Sequence, residues 1–230
     1  MSYFEEKNNP LLHCCATEPL LLGRAQILRE TPHGALVRED AAGMYVLAAD
    51  STPDAEELLR GVDGIDFIML CNADFAPLID RFHLDGRMRC FQAAYRKPEL
   101  PPIDPRLHIA VPDERALEHI LQVYHLNSPE SLRSQARRGE LFFVTDAQGA
   151  DVGFVGIHPE GCFGMLEVFP EQRGQGYGAA LENFILRFCM ETGRLPYCQV
   201  EEDNRISMNL QRKLGLELTQ EMLLMAWREH

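Results

Sequence analysis

Apolar and polar positions alternate along this chain in short blocks that switch between the two-residue period of strands and the helical period. In the first half, this pattern predicts several short strands separated by turns and two helices. Thr52 and Pro53 have the residue types that begin a helix, and Gly61 ends it. The predicted strands cover residues 25–29, 35–38, 44–48, 65–70 and 88–96, and the predicted helices cover residues 52–60 and 74–82.

The second half has the same alternation with longer elements. A strand is predicted first, then two helices, a meander of three strands, a long amphipathic helix, a strand, a helix and a final strand. Predicted strands cover residues 107–110, 141–145, 152–157, 162–169, 197–200 and 222–227, and predicted helices cover 112–124, 128–139, 176–192 and 205–214. The long helix places apolar residues on one face and ends at Gly193.

A proline-rich segment separates the two halves. Four prolines fall within residues 97–105, and such a run continues neither a helix nor a central strand. We therefore predict two domains, 1–100 and 105–230, of an α/β protein. Because the first domain resembles a shorter version of the second in its element order, we interpret it as a degenerate duplicate.

Composition narrows the classes of function. Lys and Arg number 22 against 35 Asp and Glu, and the formal net charge of −13 argues against a nucleic-acid-binding protein. No apolar run has the length of a membrane span, and the charged first nine residues do not predict a secretory signal. The seven cysteines lie mostly in apolar segments, which predicts reduced thiols in a cytoplasmic protein.

One cysteine cluster has a metal site as its alternative interpretation. His13, Cys14 and Cys15 are adjacent, but zinc sites usually combine two pairs of ligands, each separated by two to four residues. The sequence contains no second pair of this kind. We therefore predict no metal site.

The strongest chemical signal is a glycine-rich turn between a predicted strand and the long helix. Residues 168–181 read VFPEQRGQGYGAAL, with Gly174, Gly176 and Gly178 in alternate positions. The first N–H groups of a helix have no internal partner, and the helix dipole adds partial positive charge there. The segment therefore predicts an anion site suited to a diphosphate. The alternative is a glycine-rich turn without a ligand.

Two common nucleotide motifs do not fit this turn. A P-loop requires Lys followed by Ser or Thr after its last glycine, whereas Tyr177, Gly178 and Ala179 stand here. A dinucleotide-binding turn follows the first strand of its unit, and this turn comes late in the second half.

Residues 173–178 resemble the signature of the GNAT superfamily of acyl-CoA-dependent N-acyltransferases, in which Arg or Gln, two residues, Gly, one residue and Gly or Ala follow a strand. A second block, with Asn204, Ser207, Leu210 and residues 213–216 reading KLGL, is similar to another run of that family. The resemblance covers residues 107–227. It is greatest to the branch that includes glycine-N-acyltransferase-like proteins.

This resemblance implies a mixed central sheet flanked by helices, preceded by the smaller N-terminal unit, and a set of residues for acetyl-CoA. Backbone groups of Glu167 and Val168 would pair with the pantetheine arm, and the N–H of Val168 would face the thioester oxygen. Asn204 and Ser207 would lie near the same arm. The diphosphate would be held at the turn by Arg173, Gly174, Gln175, Gly176, Tyr177, Gly178 and Ala179.

Acyl transfer to an amine also needs a base, since alkyl amines are mostly protonated at pH 7. Glu167 is the leading candidate, with Glu201 and Glu202 as weaker ones. Many family members carry a Tyr where this chain has Gln211, an amide that cannot serve as the acid for the leaving thiolate. Because a coenzyme A thiolate is a fair leaving group, either no acid is needed, or Tyr197 or Cys198 replaces the missing Tyr.

The sequence therefore predicts an N-acetyltransferase that moves an acetyl group from acetyl-CoA directly to a primary amine of a small molecule or peptide. It predicts acetyl-CoA and this amine as partners, with no nucleic acid, membrane or metal, and a monomer or homodimer. The alternatives are a non-catalytic acyl-CoA sensor, which Gln211 allows, and an interaction module whose glycine turn is only structural.

Overall fold

The computed structural model describes residues 2–229, which form two compact units. The first unit contains residues up to Tyr95 and from Tyr197 onwards, and the second contains Arg96–Pro196. The first unit begins with two helices, α1 (Tyr3–Lys7) and α2 (Pro10–Leu21). Its other elements are β1 (Ala25–Thr31), β2 (Gly34–Glu39), β3 (Tyr45–Ala49), α3 (Thr52–Leu59), β4 (Phe67–Leu70), a 3₁₀ helix (Ala73–Phe82), β5 (Gly86–Ala94), β10 (Tyr197–Glu201), α7 (Arg205–Leu214), β11 (Glu217–Leu218) and β12 (Leu223–Trp227).

An eight-stranded mixed sheet organises this first unit. Its strands follow the order β1-β2-β3-β4-β12-β5-β10, and β11 also pairs with β5. Strands β3 and β4 are parallel, and the other pairs are antiparallel. Strand β12 lies between β4 and β5, with Ala226 opposite both Ile68 and Arg87. The last strand of the chain is therefore central in this sheet.

The second unit has a smaller sheet with helices on both faces. Its elements are β6 (Leu107–Ala110), α4 (Glu114–Val123), α5 (Pro129–Arg137), β7 (Leu141–Asp146), β8 (Asp151–Ile157), β9 (Phe163–Val168), a 3₁₀ turn (Pro170–Gln172) and α6 (Tyr177–Glu191). The four strands are antiparallel in the order β6-β7-β8-β9. Phe143 packs in a core with residues of α4 and α5, whereas its neighbour Phe142 contacts Phe184 and Phe188 of α6.

The mixed α/β class with a sheet flanked by helices is confirmed, but the compact units differ from the predicted division at residues 1–100 and 105–230. The C-terminal strands pair with the N-terminal half: Tyr197 of β10 lies opposite Ala94 of β5. The physical reason is that β5 and β12 complete each other's hydrogen bonding over residues 86–90 and 223–227. The proline-rich segment belongs to the second unit.

Two helices at the N-terminus were missing from the sequence-based prediction. Helix α2 begins with Pro10 in its first turn, and the side chain of Asn9 accepts a hydrogen bond from the Leu12 amide at 3.2 Å. Two features explain why the sequence did not predict α2. Its apolar residues lie on all sides of the helix and form no stripe, and it contains Pro19, a residue that usually breaks helices. The helix predicted over residues 74–82 is a 3₁₀ helix that covers Ala73–Phe82 and contains Pro77.

Candidate active site

Strand β9 forms one edge of the second unit's sheet and carries a bulge. Its pairing with β8 shifts between Gly156 opposite Gly164 and Phe154 opposite Glu167, so that β9 contains one extra residue. Met165 lies in this segment with a φ of 48°, in the left-handed region that residues with a side chain rarely adopt. The bulge redirects the end of the strand, where Glu167 and Val168 lie.

The register fixes the direction of the backbone groups at the end of β9. The amide of Phe169 donates to the carbonyl of Val152 on β8 at 2.9 Å. Because backbone groups alternate in direction along an antiparallel strand, the N–H and C=O of Val168 point away from β8. The C=O accordingly accepts a hydrogen bond from Nε of Arg173 at 3.0 Å. The N–H of Val168 therefore faces the outer edge of this sheet.

The glycine-rich turn leaves the start of α6 open. Gly174 and Gly176 have φ values of 78° and 83°, and a Cβ built on either would meet no atom within 4 Å. Gly176 caps the helix without a side-chain hydrogen bond, and no acidic residue occupies the first turn. The N–H groups at this helix start thus combine partial positive charge with free space. Gly178 brings α6 close to the strand end, since a Cβ there would lie 4.0 Å from Cγ2 of Val168.

Two arginines flank this turn. Arg173 also contacts Glu167, with Nη2 3.4 Å from Oε1. Arg106 lies over the ring of Tyr177, 5.0 Å from its centroid, and forms an ion pair with Asp104. This pairing lowers the pKa of the Asp104 carboxyl. Arg106 was missing from the sequence-based set, and no motif marks it, because it reaches the turn from the segment before β6. Gln175 bonds only to Gln172 among the contacts of the described residues, at 2.9 Å.

Glu167 lies half-buried on the opposite face from α6. It pairs across the sheet with Phe154, whose ring contacts Tyr124 with a centroid distance of 5.3 Å. Burial raises the pKa of Tyr124, and the negative charges of Glu160 and Glu167 raise it further. The Glu167 carboxylate is therefore close enough to Tyr124 for electrostatic interaction and remains partly accessible, with a side-chain exposure of 31%.

The remaining predicted residues belong to the first unit. Asn204 caps α7, where its Oδ1 accepts a hydrogen bond from the Ser207 amide at 3.0 Å. Tyr197 is 1% exposed on β10, and Gln211 is also buried, at 4% exposure. The spacing of Asn204 and Ser207 thus serves to cap helix α7, and Tyr197 lies in the core of the first unit.

The pattern of the Acetyltransferase (GNAT) family matches residues 108–216, just under half of the chain. The matched range includes the strand end, the open turn and α7. Over residues 108–216 the chain is thus similar to GNAT acetyltransferases.

Solved structures are similar in fold to more of the chain than residues 108–216. A Drosophila protein superposes with a TM-score of 0.68 at 13% identity, over 97% of this chain and 84% of that one. A GCN5-related N-acetyltransferase from Kribbella flavida gives 0.59 at 13% identity, over 96% of both chains. An acetyltransferase of the GNAT family from Colwellia psychrerythraea gives 0.51 at 15% identity, over 85% and 81%. No curated protein matches the chain.

The match of residues 108–216 to the GNAT family supports acyl transfer from a coenzyme A thioester. The open helix start and the outward N–H of Val168 fit that molecule, because one offers donors to a diphosphate and the other an unpaired strand edge to an amide-containing arm. Residues 2–229 include no grouping of three His, Cys, Asp or Glu residues suited to a metal ion. No helix described here has the length and apolar character needed to cross a membrane. All seven cysteines are buried, and none of them forms a disulfide within the described residues.

Proposed function

We propose that the chain is an N-acetyltransferase that transfers an acetyl group from acetyl-CoA to a primary amine. The observation that carries this proposal is the uncapped, glycine-lined start of α6 directly after the edge strand β9. A capped or acidic helix start would repel a diphosphate, whereas this one offers donors without a side chain in front of them.

The chain's own residues have distinct tasks in this proposal. The backbone N–H groups of residues 175–179 hold the diphosphate, and Arg173 adds positive charge beside them. The N–H of Val168 donates a hydrogen bond to the thioester oxygen and stabilises the negative charge that develops there. Coenzyme A supplies the activated acyl group as a thioester. Asn204 and Ser207 are proposed to contact its pantetheine arm.

The acceptor amine must lose a proton to react. Glu167 is partly accessible and next to Val168, so we propose that its carboxylate takes this proton directly or through a water. Glu201 and Glu202 stay weaker candidates. Tyr197 is proposed as the acid for the departing thiolate, with Cys198 as the alternative. Tyr197 is 1% exposed.

Isothermal titration of the full chain with acetyl-CoA tests the cofactor site. We expect binding, and we expect Gly176→Asp to weaken it at least tenfold, because a carboxylate would stand where the diphosphate should bind. Gly149→Asp is the matched control, since Gly149 has a φ of 81° and equally open surroundings in another turn. Equal affinities of the two variants would refute the assignment.

A second candidate function is a sensor that binds acyl-CoA without turning it over. It is favoured by Gln211, an amide in the position where many family members have the acidic Tyr. Release of free thiol in the presence of a panel of amines distinguishes the two functions. Cofactor binding without thiol release would establish the sensor, and the absence of binding would favour an interaction module.

Finer features of the proposal also rest on the sequence. We propose membership of the glycine-N-acyltransferase-like branch, a cytoplasmic location, a monomeric or homodimeric state, and no nucleic-acid or membrane partner. The low content of basic residues supports the absence of nucleic acid.

A further inference from the structure

The first unit contains a cavity of about 480 Å³ at the carboxyl ends of the parallel strands β3 and β4. We call it the N-terminal cavity. This volume lies in the range of small-molecule sites. Its lining consists of Tyr3, Lys7, Asn9, Leu12, His13, Ala49, Asp50, Cys71, Asn72, Ala73, Asp74, Glu221 and Met222.

The cavity opens because the two parallel strands separate. Their last paired residues are Leu47 and Leu70, after which the Cys71 amide still donates to the Leu47 carbonyl at 2.9 Å. Two residues later, the Ala73 amide instead donates to Met222 at 2.8 Å. Crevices at the carboxyl ends of parallel strands are the usual ligand sites of open α/β sheets.

A buried polar side chain lines this cavity without a partner. His13 on α2 is 5% exposed, and its Nδ1 has no hydrogen-bond partner. The ring packs beside Tyr3 and Phe4, with centroid distances of 5.7 and 5.4 Å. Nδ1 is enclosed by protein atoms, so a ligand in the cavity would meet the remaining exposed edge of the His13 ring.

The charges around the cavity favour a cation. Lys7 is already paired with Asp50, with Nζ 2.5 Å from Oδ2. Asp74 and Glu221 are exposed, and within residues 2–229 no Lys or Arg forms an ion pair with either. Since the described residues lack a metal-binding cluster, an organic cation fits better than a metal ion.

The start of the neighbouring helix α3 disfavours the diphosphate of coenzyme A in the N-terminal cavity. Helix α3 follows β3, but the Ser51 side chain caps it by accepting from the Asp54 amide, and Asp54 puts a carboxylate in its first turn. This start therefore disfavours a diphosphate, in contrast to the open start of α6.

We propose that the N-terminal cavity binds a small organic primary ammonium ion, as a ligand site separate from the glycine-rich turn. Asp74 and Glu221 attract the ammonium group, and the exposed edge of the His13 ring contacts the ligand beside it. Tyr3, Leu12 and Met222 provide contacts for its apolar part.

The test uses phenethylamine as the probe, with 3-phenylpropionate as an anion of similar shape. We expect the full chain to bind phenethylamine at millimolar concentration in isothermal titration and to bind 3-phenylpropionate at least tenfold more weakly. In NMR spectra of histidine-labelled protein, the imidazole signals of His13 should shift on addition of phenethylamine. A bound amine with unchanged His13 signals would place it elsewhere and overturn the proposal, as would the absence of binding.

A pair of double variants separates the specific site from general charge effects. Asp74→Asn with Glu221→Gln should weaken phenethylamine binding about tenfold, the usual size of a lost charge-assisted contact. Asp63→Asn with Asp85→Asn removes the same charge at exposed positions outside the cavity and should leave affinity unchanged. Equal losses in both would overturn the proposal. Because acetyl-CoA titration is measured separately, failure here leaves the acetyltransferase proposal untouched.

Discussion

At the scale of single residues, the starts of helices α6 and α3 have opposite chemistry. At α6, Gly176 provides neither a capping side chain nor a charge. At α3, Ser51 accepts from the Asp54 amide, and Asp54 adds a carboxylate. Because a helix start attracts anions only when its N–H groups are available, these few residues favour an anion at α6 over α3.

Glu167 is the residue whose replacement tests the proposed proton transfer. Glu167→Gln should lower kcat at pH 7 by about a hundredfold, since general-base catalysis commonly contributes that much or more. The loss should shrink at high pH, where the amine loses its proton without help. The measurement is thiol release with a fixed amine across pH. The exposed Glu171→Gln variant is the control, and an unchanged kcat at pH 7 for Glu167→Gln would remove it from the base role.

His13 predicts a pH dependence of stability. Burial lowers its pKa from 6.5 to about 4, although the negative charges of Asp50 and Glu221 oppose this shift and the charge of Lys7 adds to it. Between these values the unfolded chain binds a proton that the folded chain does not, so acidification favours unfolding. The free energy of unfolding should fall by about 3 kcal/mol from this group as the pH drops through that window.

Urea unfolding at pH 7 and near pH 4 measures this effect. His13→Gln removes the titrating group, so its free energy of unfolding should depend less on pH than that of the unsubstituted chain. His125→Gln, at an exposed position, is the control and should keep the full dependence. Parallel curves for the His13→Gln variant and the unsubstituted chain would show that His13 is not the cause.

At the scale of elements, local signals predicted much of the second unit. The turn residues around Gly149, the cap at Ser128 and the glycines before α6 mark boundaries within a few residues of those observed. The bulge in β9 and the outward N–H of Val168 left no such signal. They depend on the register between β8 and β9, which packing on both faces determines.

Gly153 tests how closely β8 and β9 approach at the site. A Cβ at this position would lie 2.0 Å from the Glu167 carbonyl oxygen and 3.1 Å from Cα of Val168. Because these are backbone atoms, Gly153→Ala should force β9 away and cost about 1–3 kcal/mol of stability. We also expect weaker acetyl-CoA binding, since Val168 moves with the strand.

The control for Gly153→Ala is Gly164→Ala on the facing strand. There the added methyl would meet the far end of the His158 side chain, 2.6 Å away, and that side chain can rotate. Thermal unfolding and acetyl-CoA titration of both variants give the comparison. If Gly153→Ala is as stable and binds as tightly as Gly164→Ala, the close approach does not matter for the site.

At the scale of the whole molecule, the order of segments along the chain differs from their grouping into compact units, because the first unit combines both ends of the chain. The proline-rich segment suggested a boundary near residue 100, yet β10 and β12 from the end of the chain pair with β5. Pairing between segments more than a hundred residues apart has no local mark in the sequence, and an apolar strand such as β12 can join any sheet with an open place. The second unit is thus the connection between two neighbouring antiparallel strands, β5 and β10.

This arrangement predicts which fragments fold. Residues 1–100 alone lack β12, so β4 and β5 have no partner between them and their apolar residues lose cover. We expect this fragment to show no cooperative unfolding transition in urea. A fusion of residues 1–94 to 197–230 through an Asn-Gly turn should fold, because Tyr197 already lies opposite Ala94 and a two-residue turn suits such a hairpin. A cooperative transition for residues 1–100, or none for the fusion, would contradict the central place of β12 and return the boundary to the proline-rich segment.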